Sequence, residues 1–267
     1  MNEFQQRYGP WAVVIGASDG IGRELARGLA RRGLGVVLVA RRRERLEALA
    51  AELGPSQARV VVADLARPED LRAVIAATAD LDVGLLAPAA GFGLSGPFLR
   101  APAVEEAEMV DVNCRAVLAL SHAFAPRLTA RGRGGLIFMS SIVAYQGVPG
   151  QANYAATKAY VHSLAEGLAI ELKPHGVDVL ACAPGPVATG FARRAGLVMK
   201  DADKAGAVAE SALRALGRTT IVRPGRSSKT LGYALGGLPR RGRTAILGRV
   251  IGSMMSGEAY GEAGRSA

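Results

Sequence analysis

Tyr154 and Lys158 stand four residues apart in this 267-residue chain, inside a stretch of helical character. At that spacing a phenol and an ammonium lie one turn apart on one helix face. An ammonium beside a phenol favours the phenolate and lowers a pKa that is ordinarily about 10, toward the working range of a general acid or base. Ser141 lies thirteen residues before Tyr154, after the apolar run Leu136-Ile137-Phe138-Met139, which reads as a buried strand. A hydroxyl at a strand's carboxyl end can reach a bound ligand. The same Tyr–Lys spacing also suits a packed ring beside a solvated amine, so the surrounding elements must decide.

Those elements alternate. Trp11 to Ile15 is a short apolar run that ends in Gly16-Ala17-Ser18-Asp19-Gly20-Ile21-Gly22, followed by a helical pattern from Arg23 to Arg32. Strand, glycine-rich turn and helix together let a backbone approach a pyrophosphate, with free N–H groups at the helix start, although an ordinary tight turn has the same look. Further strands are predicted at Gly35 to Ala40, Arg59 to Ala63, Leu85 to Ala87 and Gly176 to Ala183, with a short last one at Thr219 to Arg223. Helices are predicted from Arg43 to Leu53, after Pro68, from Asp111 to Arg131 carrying Asn113, and from Lys204 to Leu216. Gly190 to Asp203 reads as a flexible segment suited to covering a substrate. The alternation implies one doubly wound α/β domain, a Rossmann-type parallel sheet of about seven strands in the order 3-2-1-4-5-6-7 with helices on both faces.

A dinucleotide site chooses its cofactor at the end of the second strand, where an acid would bond a ribose hydroxyl and a base would accept a 2′-phosphate. Ala40-Arg41-Arg42-Arg43 carries no acid before Glu44, which favours NADP(H) over NAD(H), with Arg41 first and Arg42 second. The same arginines also suit the start of a solvated helix. Asp64 closes the third strand and suits either an adenine amino group or a turn cap.

Composition narrows the partners. Apolar residues make up 49% of the chain, enough for a large core, and no apolar run approaches the roughly 20 residues of a membrane span. No apolar amino-terminal leader stands out, so a cytoplasmic location is expected. Cys114 and Cys182 lack paired spacing and read as reduced core thiols, and His122, His162 and His175 suggest no metal site. The net charge of +10 comes from scattered arginines without interleaved aromatics. It fits solubility and attraction of acidic ligands, such as phosphates or acyl carriers, better than nucleic-acid binding.

With these residues in hand, the chain resembles the short-chain dehydrogenase/reductase family over roughly residues 10 to 225. Four motifs agree in order and spacing: Gly16-x3-Gly20-x-Gly22, Asn113, Ser141 with Tyr154-x3-Lys158, and Pro184-Gly185 running to Thr189. The resemblance implies that Tyr154 moves the proton, Ser141 bonds the substrate oxygen, Lys158 binds the nicotinamide ribose and Asn113 holds a relay water. It further implies a cofactor site built from Gly16, Ser18, Asp19, Gly20, Ile21 and Gly22, with Arg41 and Arg42 at its 2′-phosphate end. By the same resemblance Asp64 meets the adenine, Gly91 passes the adenosine ribose and Thr189 bonds the nicotinamide carboxamide, with Leu65, Ala90, Pro184, Gly185 and Val187 also lining the cofactor. A small carbonyl or alcohol substrate and a homodimer or homotetramer are also implied.

The sequence departs from the family's pattern at Pro88-Ala89, where two asparagines are usual, at Ile15 in place of threonine, and at Ser18-Asp19, where NADP-preferring members often carry a basic residue. The segment from Gly9 to Gly22 is similar to long-chain 3-oxoacyl and hydroxysteroid reductases, which hints at an apolar ketone. Residues 226–267 form a basic extension with apolar positions at helical spacing. It suits packing on the protein or its oligomer, a substrate lid, or a peripheral membrane contact. A non-catalytic dinucleotide sensor or scaffold on the same fold is the rival reading.

Overall fold

The computed structural model describes residues 2–54, 56–198, 202–225, 228 and 237–255. Seven strands form its main sheet: β1 (Trp11–Ile15), β2 (Gly35–Ala40), β3 (Ala58–Val62), β4 (Val83–Pro88), β5 (Gly134–Met139), β6 (Val177–Cys182) and β9 (Ile221–Val222). Their order is β3-β2-β1-β4-β5-β6-β9, with every neighbouring pair parallel. This is the expected doubly wound order. The seventh strand is ninth in chain order because β7 (Val187–Ala188) and β8 (Asp203–Lys204) pair separately as a two-stranded ribbon.

Both faces of the sheet are covered, which is why its strands are continuously apolar rather than alternating. Val13 and Ile15 point to one face, where they cluster with Leu71 of α4 (Pro68–Ala76), Met109 of α5 (Ala103–Val110), Phe124 of α6 (Ala116–Ala130) and Val161 of α7 (Ala152–Glu171). Ala12 and Val14 point the other way, to Leu25 of α2 (Gly20–Arg31), Leu46 of α3 (Arg43–Leu53) and Leu213 of α9 (Ala205–Ala215). Full burial of one such leucine contributes roughly 1.5–3 kcal/mol. Cys114 and Cys182 are free thiols in these interiors.

Several element boundaries differ from the expectations. The helix after β1 starts at Gly20 rather than Arg23, because Asp19 Oδ1 accepts from Gly20 N at 2.8 Å and caps it. The helix bearing Asn113 begins well before Asp111: α5 runs into a π turn at Asp111–Arg115 and continues as α6. A π turn adds a residue to the helical repeat without any apolar-period signal, so sequence periodicity saw only its second part. The segment expected to be flexible after Thr189 contains α8 (Gly190–Arg194), capped where Phe191 N donates to Thr189 Oγ1 at 3.2 Å. Residues 199–201 of that expectation lie outside the described residues, as do 226, 227, 229–236 and 256–267 of the extension. The described part of the extension includes α10 (Arg240–Met254), whose Leu247 and Ile251 are buried in the same core cluster as Tyr154. No helix among the described residues is long and apolar enough to cross a membrane.

Candidate active site

The sheet brings the glycine turn after β1 beside the loop after β4, the point at which strand order reverses and where α/β sheets bind ligands. Gly16 has φ +86°, and a Cβ there would lie 2.7 Å from the Ala90 backbone. Only glycine lets these two loops touch. Gly91 is similarly hemmed, since a Cβ on it would sit 3.0 Å from Asn113 Oδ1 and 3.2 Å from Lys158 Nζ. A side chain here would fill the floor of the cleft.

β5 ends at Met139, and Ser140 N bonds to Cys182 O of β6 at 2.8 Å, holding Ser141 just past the sheet edge. Ser141 Oγ accepts from Val143 N at 3.3 Å and caps the following short 3₁₀ turn. α7 then delivers Tyr154 and Lys158 to the same place. Ser141, Tyr154 and Lys158 are 8%, 9% and 6% exposed, so the three polar groups meet in a nearly dry floor. The Tyr154 ring packs on Phe191 of α8 with centroids 5.2 Å apart.

The electrostatics correct one expectation. Burial raises the Tyr154 phenol well above its ordinary 10, opposed only by its hydrogen bonding with Ser141. Lys158 lies over the Tyr154 ring, 5.7 Å from its centroid, and its Nζ donates to Met139 O at 2.8 Å. Burial lowers its own pKa to about 8. In this arrangement desolvation of both groups outweighs the mutual attraction that their spacing suggests, so the phenol holds its proton.

Asn113 lies behind the cleft wall and is 1% exposed. Its Oδ1 accepts from Phe92 N at 3.1 Å, and its Nδ2 donates to Phe92 O at 2.8 Å and to Thr157 Oγ1 at 3.0 Å. The side chain expected to hold a water is therefore clasped to the β4–α5 loop and to α7. Asn113→Ala leaves buried backbone groups of Phe92 unpaired and is expected to cost about 2–4 kcal/mol, readable as a shifted urea midpoint. An unchanged midpoint would show that the clasp carries no stability.

At the other end of the cleft, Arg42 Nη2 donates to Ser18 Oγ at 3.0 Å and lies 3.6 Å from Asp19, which Arg45 also approaches at 3.5 Å. Arg41 Nη1 lies 4.0 Å from Asp64 and 3.8 Å from Glu108. Asp64 Oδ1 accepts from Ala66 N at 3.1 Å, so this carboxylate closes a turn while its other oxygen faces Arg41.

One cleft of about 1050 Å³ joins the two ends. Gly16, Ser18, Asp19, Gly20, Ile21 and Gly22 line it, as do Arg41, Arg42, Asp64, Leu65, Ala90 and Gly91. Ser141, Tyr154, Lys158, Pro184, Gly185, Val187 and Thr189 line it too, so of the residues singled out in the sequence Asn113 is the one outside the lining. The shape, the close-passing glycine turn with a capped helix behind it, and the arginines at one end fit a phosphate-rich dinucleotide. Sequence reasoning missed Arg45, Phe191, Arg193 and Arg194, and left open among three roles the extension whose Leu247, Val250, Ile251 and Met254 form an apolar wall of the cleft from α10. The i, i+4, i+7 spacing of Leu247, Ile251 and Met254 was the available signal for that wall.

Residues 10–197 match the family described as short chain dehydrogenase. The chain belongs to the short-chain dehydrogenase family. This short-chain dehydrogenase is 35% identical over 189 residues to a 7beta-hydroxysteroid dehydrogenase of Clostridium sardiniense, covering 70% of this chain and 72% of the relative. It is 38% identical over 179 residues to a very-long-chain 3-oxoacyl-CoA reductase of Podospora anserina, covering 64% of this chain but only 53% of that longer protein. A solved short-chain dehydrogenase from Sphingobium yanoikuyae in complex with NADPH superposes with a TM-score of 0.79 at 33% identity, over 90% of this chain and 95% of the other.

Proposed function

We propose that this short-chain dehydrogenase is an NADP(H)-dependent oxidoreductase acting between a carbonyl and a secondary alcohol on an apolar, lipid-like molecule such as a 3-oxoacyl thioester. The observation that carries this reading is the convergence of Ser141, Tyr154 and Lys158 in a nearly dry floor, facing the apolar wall of α10 in one cleft. The relatives' names, a steroid dehydrogenase and a long-chain acyl reductase, support an apolar ketone.

The bound dinucleotide supplies the hydride, and the chain supplies position and proton. Ser141 Oγ bonds the substrate oxygen at the strand end. Tyr154, kept protonated by its burial, delivers its proton to that oxygen as negative charge develops there. The Lys158 ammonium then offsets the charge left on the phenolate, which gives the Tyr–Lys spacing its use. Asn113 holds Phe92 and Thr157 on either side, keeping the β4–α5 loop and α7 at fixed separation.

Arg41 and Arg42 carry the 2′-phosphate preference. Replacing both by alanine is expected to raise the KM for NADPH about 30-fold while leaving that for NADH within about threefold, since only the former carries the extra phosphate. Kinetics across a panel of apolar ketones with each cofactor test both parts of the reading. Equal losses for both cofactors would remove the phosphate assignment, and no turnover of any ketone would remove the reductase assignment.

A further inference from the structure

We infer that Arg194 is a positioning residue for the dinucleotide, latching α8 across the cofactor groove onto Phe92 and Glu108. This inference rests on the cofactor reading above and adds to it a residue outside the four motifs.

The geometry comes from where the two ends of α8 are held. Its amino-terminal end rests on the glycine turn: Thr189 Cγ2 is 2.8 Å from the place a Cβ on Gly20 would occupy, and a Cβ on Gly190 would lie 2.5 Å from Asp19 Oδ2. Its other end reaches the opposite wall. The Arg194 guanidinium carbon lies 3.4 Å from the centroid of the Phe92 ring, and Arg194 Nη2 donates to Glu108 Oε1 at 3.3 Å. Phe92 is a fixed anchor because Asn113 holds both its N–H and its carbonyl. Between the two anchors, Gly16, Asp64 and Gly91 line the same cleft as Phe191 and Arg194. A ligand lying along the glycine turn therefore passes under α8.

Glu108 Oε1 is shared: it also lies 3.8 Å from Arg41, the residue assigned to the 2′-phosphate. One carboxylate thus ties the latch to the cofactor's selectivity end. Behind the latch, Val198 N donates to Met254 O at 2.7 Å and Leu197 bridges to Met255, so the strand-like turn after α8 is secured to α10. The chain around Arg194 is held on three sides, and the Arg194 side chain carries its contact across the groove, beside Phe191, whose ring approaches Gly93.

Stacking of a guanidinium on an aromatic ring adds to a half-exposed ion pair, and together they give a latch worth about tenfold in residence time. The test follows NADPH fluorescence in stopped flow, reading the dissociation rate rather than turnover. Arg194→Leu is expected to speed dissociation about tenfold. Arg194→Lys keeps the charge toward Glu108 but loses the planar stack, and falls between wild type and Leu. Glu108→Gln also frees Arg41, so its effect is read with NADH, which lacks the 2′-phosphate: it speeds NADH release two- to threefold, and the double variant Arg194→Leu/Glu108→Gln releases NADH no faster than Arg194→Leu alone, because toward that cofactor both act through the Arg194–Glu108 contact. Thermal midpoints stay within about a degree, as both side chains are partly exposed. Dissociation rates within twofold of wild type in Arg194→Leu, or single effects that simply add, overturn the latch. If wild-type protein binds no NADPH, the cofactor reading itself falls, and the latch with it.

Discussion

Replacing Tyr154 by phenylalanine is expected to lower turnover by about two to four orders of magnitude while leaving dinucleotide affinity within about twofold. The change removes one oxygen from a ring that is already 9% exposed and packed on Phe191, so the floor of the cleft keeps its shape. What is lost is the proton source. Among the described residues no equal proton donor replaces it: the Ser141 hydroxyl keeps its proton while accepting from Val143 N but is a far weaker acid than a phenol, and Lys158 gives an N–H to Met139 O. Steady-state rates with a ketone, paired with fluorescence titration of NADPH, separate chemistry from binding. Turnover retained within tenfold would remove Tyr154 from the proton-transfer role, and affinity lost alongside turnover would recast it as a cofactor contact.

Lys158→Met is expected to abolish useful turnover and, at the same time, to stabilise the fold near neutral pH. Burial holds the lysine's folded pKa at about 8, against an unfolded value near 10.5. The native state therefore binds fewer protons than the unfolded chain between those values, and carries its full desolvation penalty below about pH 8. That penalty corresponds to roughly 3 kcal/mol. Loss of the Nζ–Met139 O bond returns about 1 kcal/mol, for a net gain of about 2 kcal/mol at pH 7. As pH rises from 8 through 10.5 the wild-type penalty fades, so the variant's advantage shrinks and then disappears. Urea unfolding at pH 7 and again near pH 10 reads both ends of this window. A variant less stable than wild type at pH 7, or an advantage that does not change with pH, would show that Lys158 is not held against its solvation. The same linkage predicts that ketone reduction by the wild type weakens as pH passes about 8, where the free enzyme loses the ammonium.

A stabilising Lys158→Met would place the cost of function at one residue. The fold tolerates a dry lysine because α7 and β5 are anchored independently of it, by the Ser140 bond to β6 and by the Asn113 clasp through Thr157. The latch at Arg194 and the clasp at Asn113 share Phe92 as their anchor, so the two sides of the cleft are coupled through one loop residue. Substitutions at Phe92 would therefore reach both cofactor residence and the geometry of α7.

Local patterns in the sequence determined the sheet order and marked the residues that line the floor of the candidate site. Alternating apolar strands and amphipathic helices admit few chain paths once right-handed crossovers are required, and the glycine turn and the Ser141, Tyr154 and Lys158 spacing fall at strand ends and on one helix face. The start of the helix bearing Asn113 was not legible, because a π turn interrupts the period by which helices are read. Tertiary structure alone decided the rest. Phe92, Glu108 and Arg194 belong to three separate segments whose meeting across the groove has no local signal, and α10 reaches the site only by packing on the core beside Tyr154. The same holds for the sign of the Tyr154 shift. Spacing along a helix suggests how two charges attract, but how much water is removed from each is set by everything packed around them, and here that removal is the larger effect.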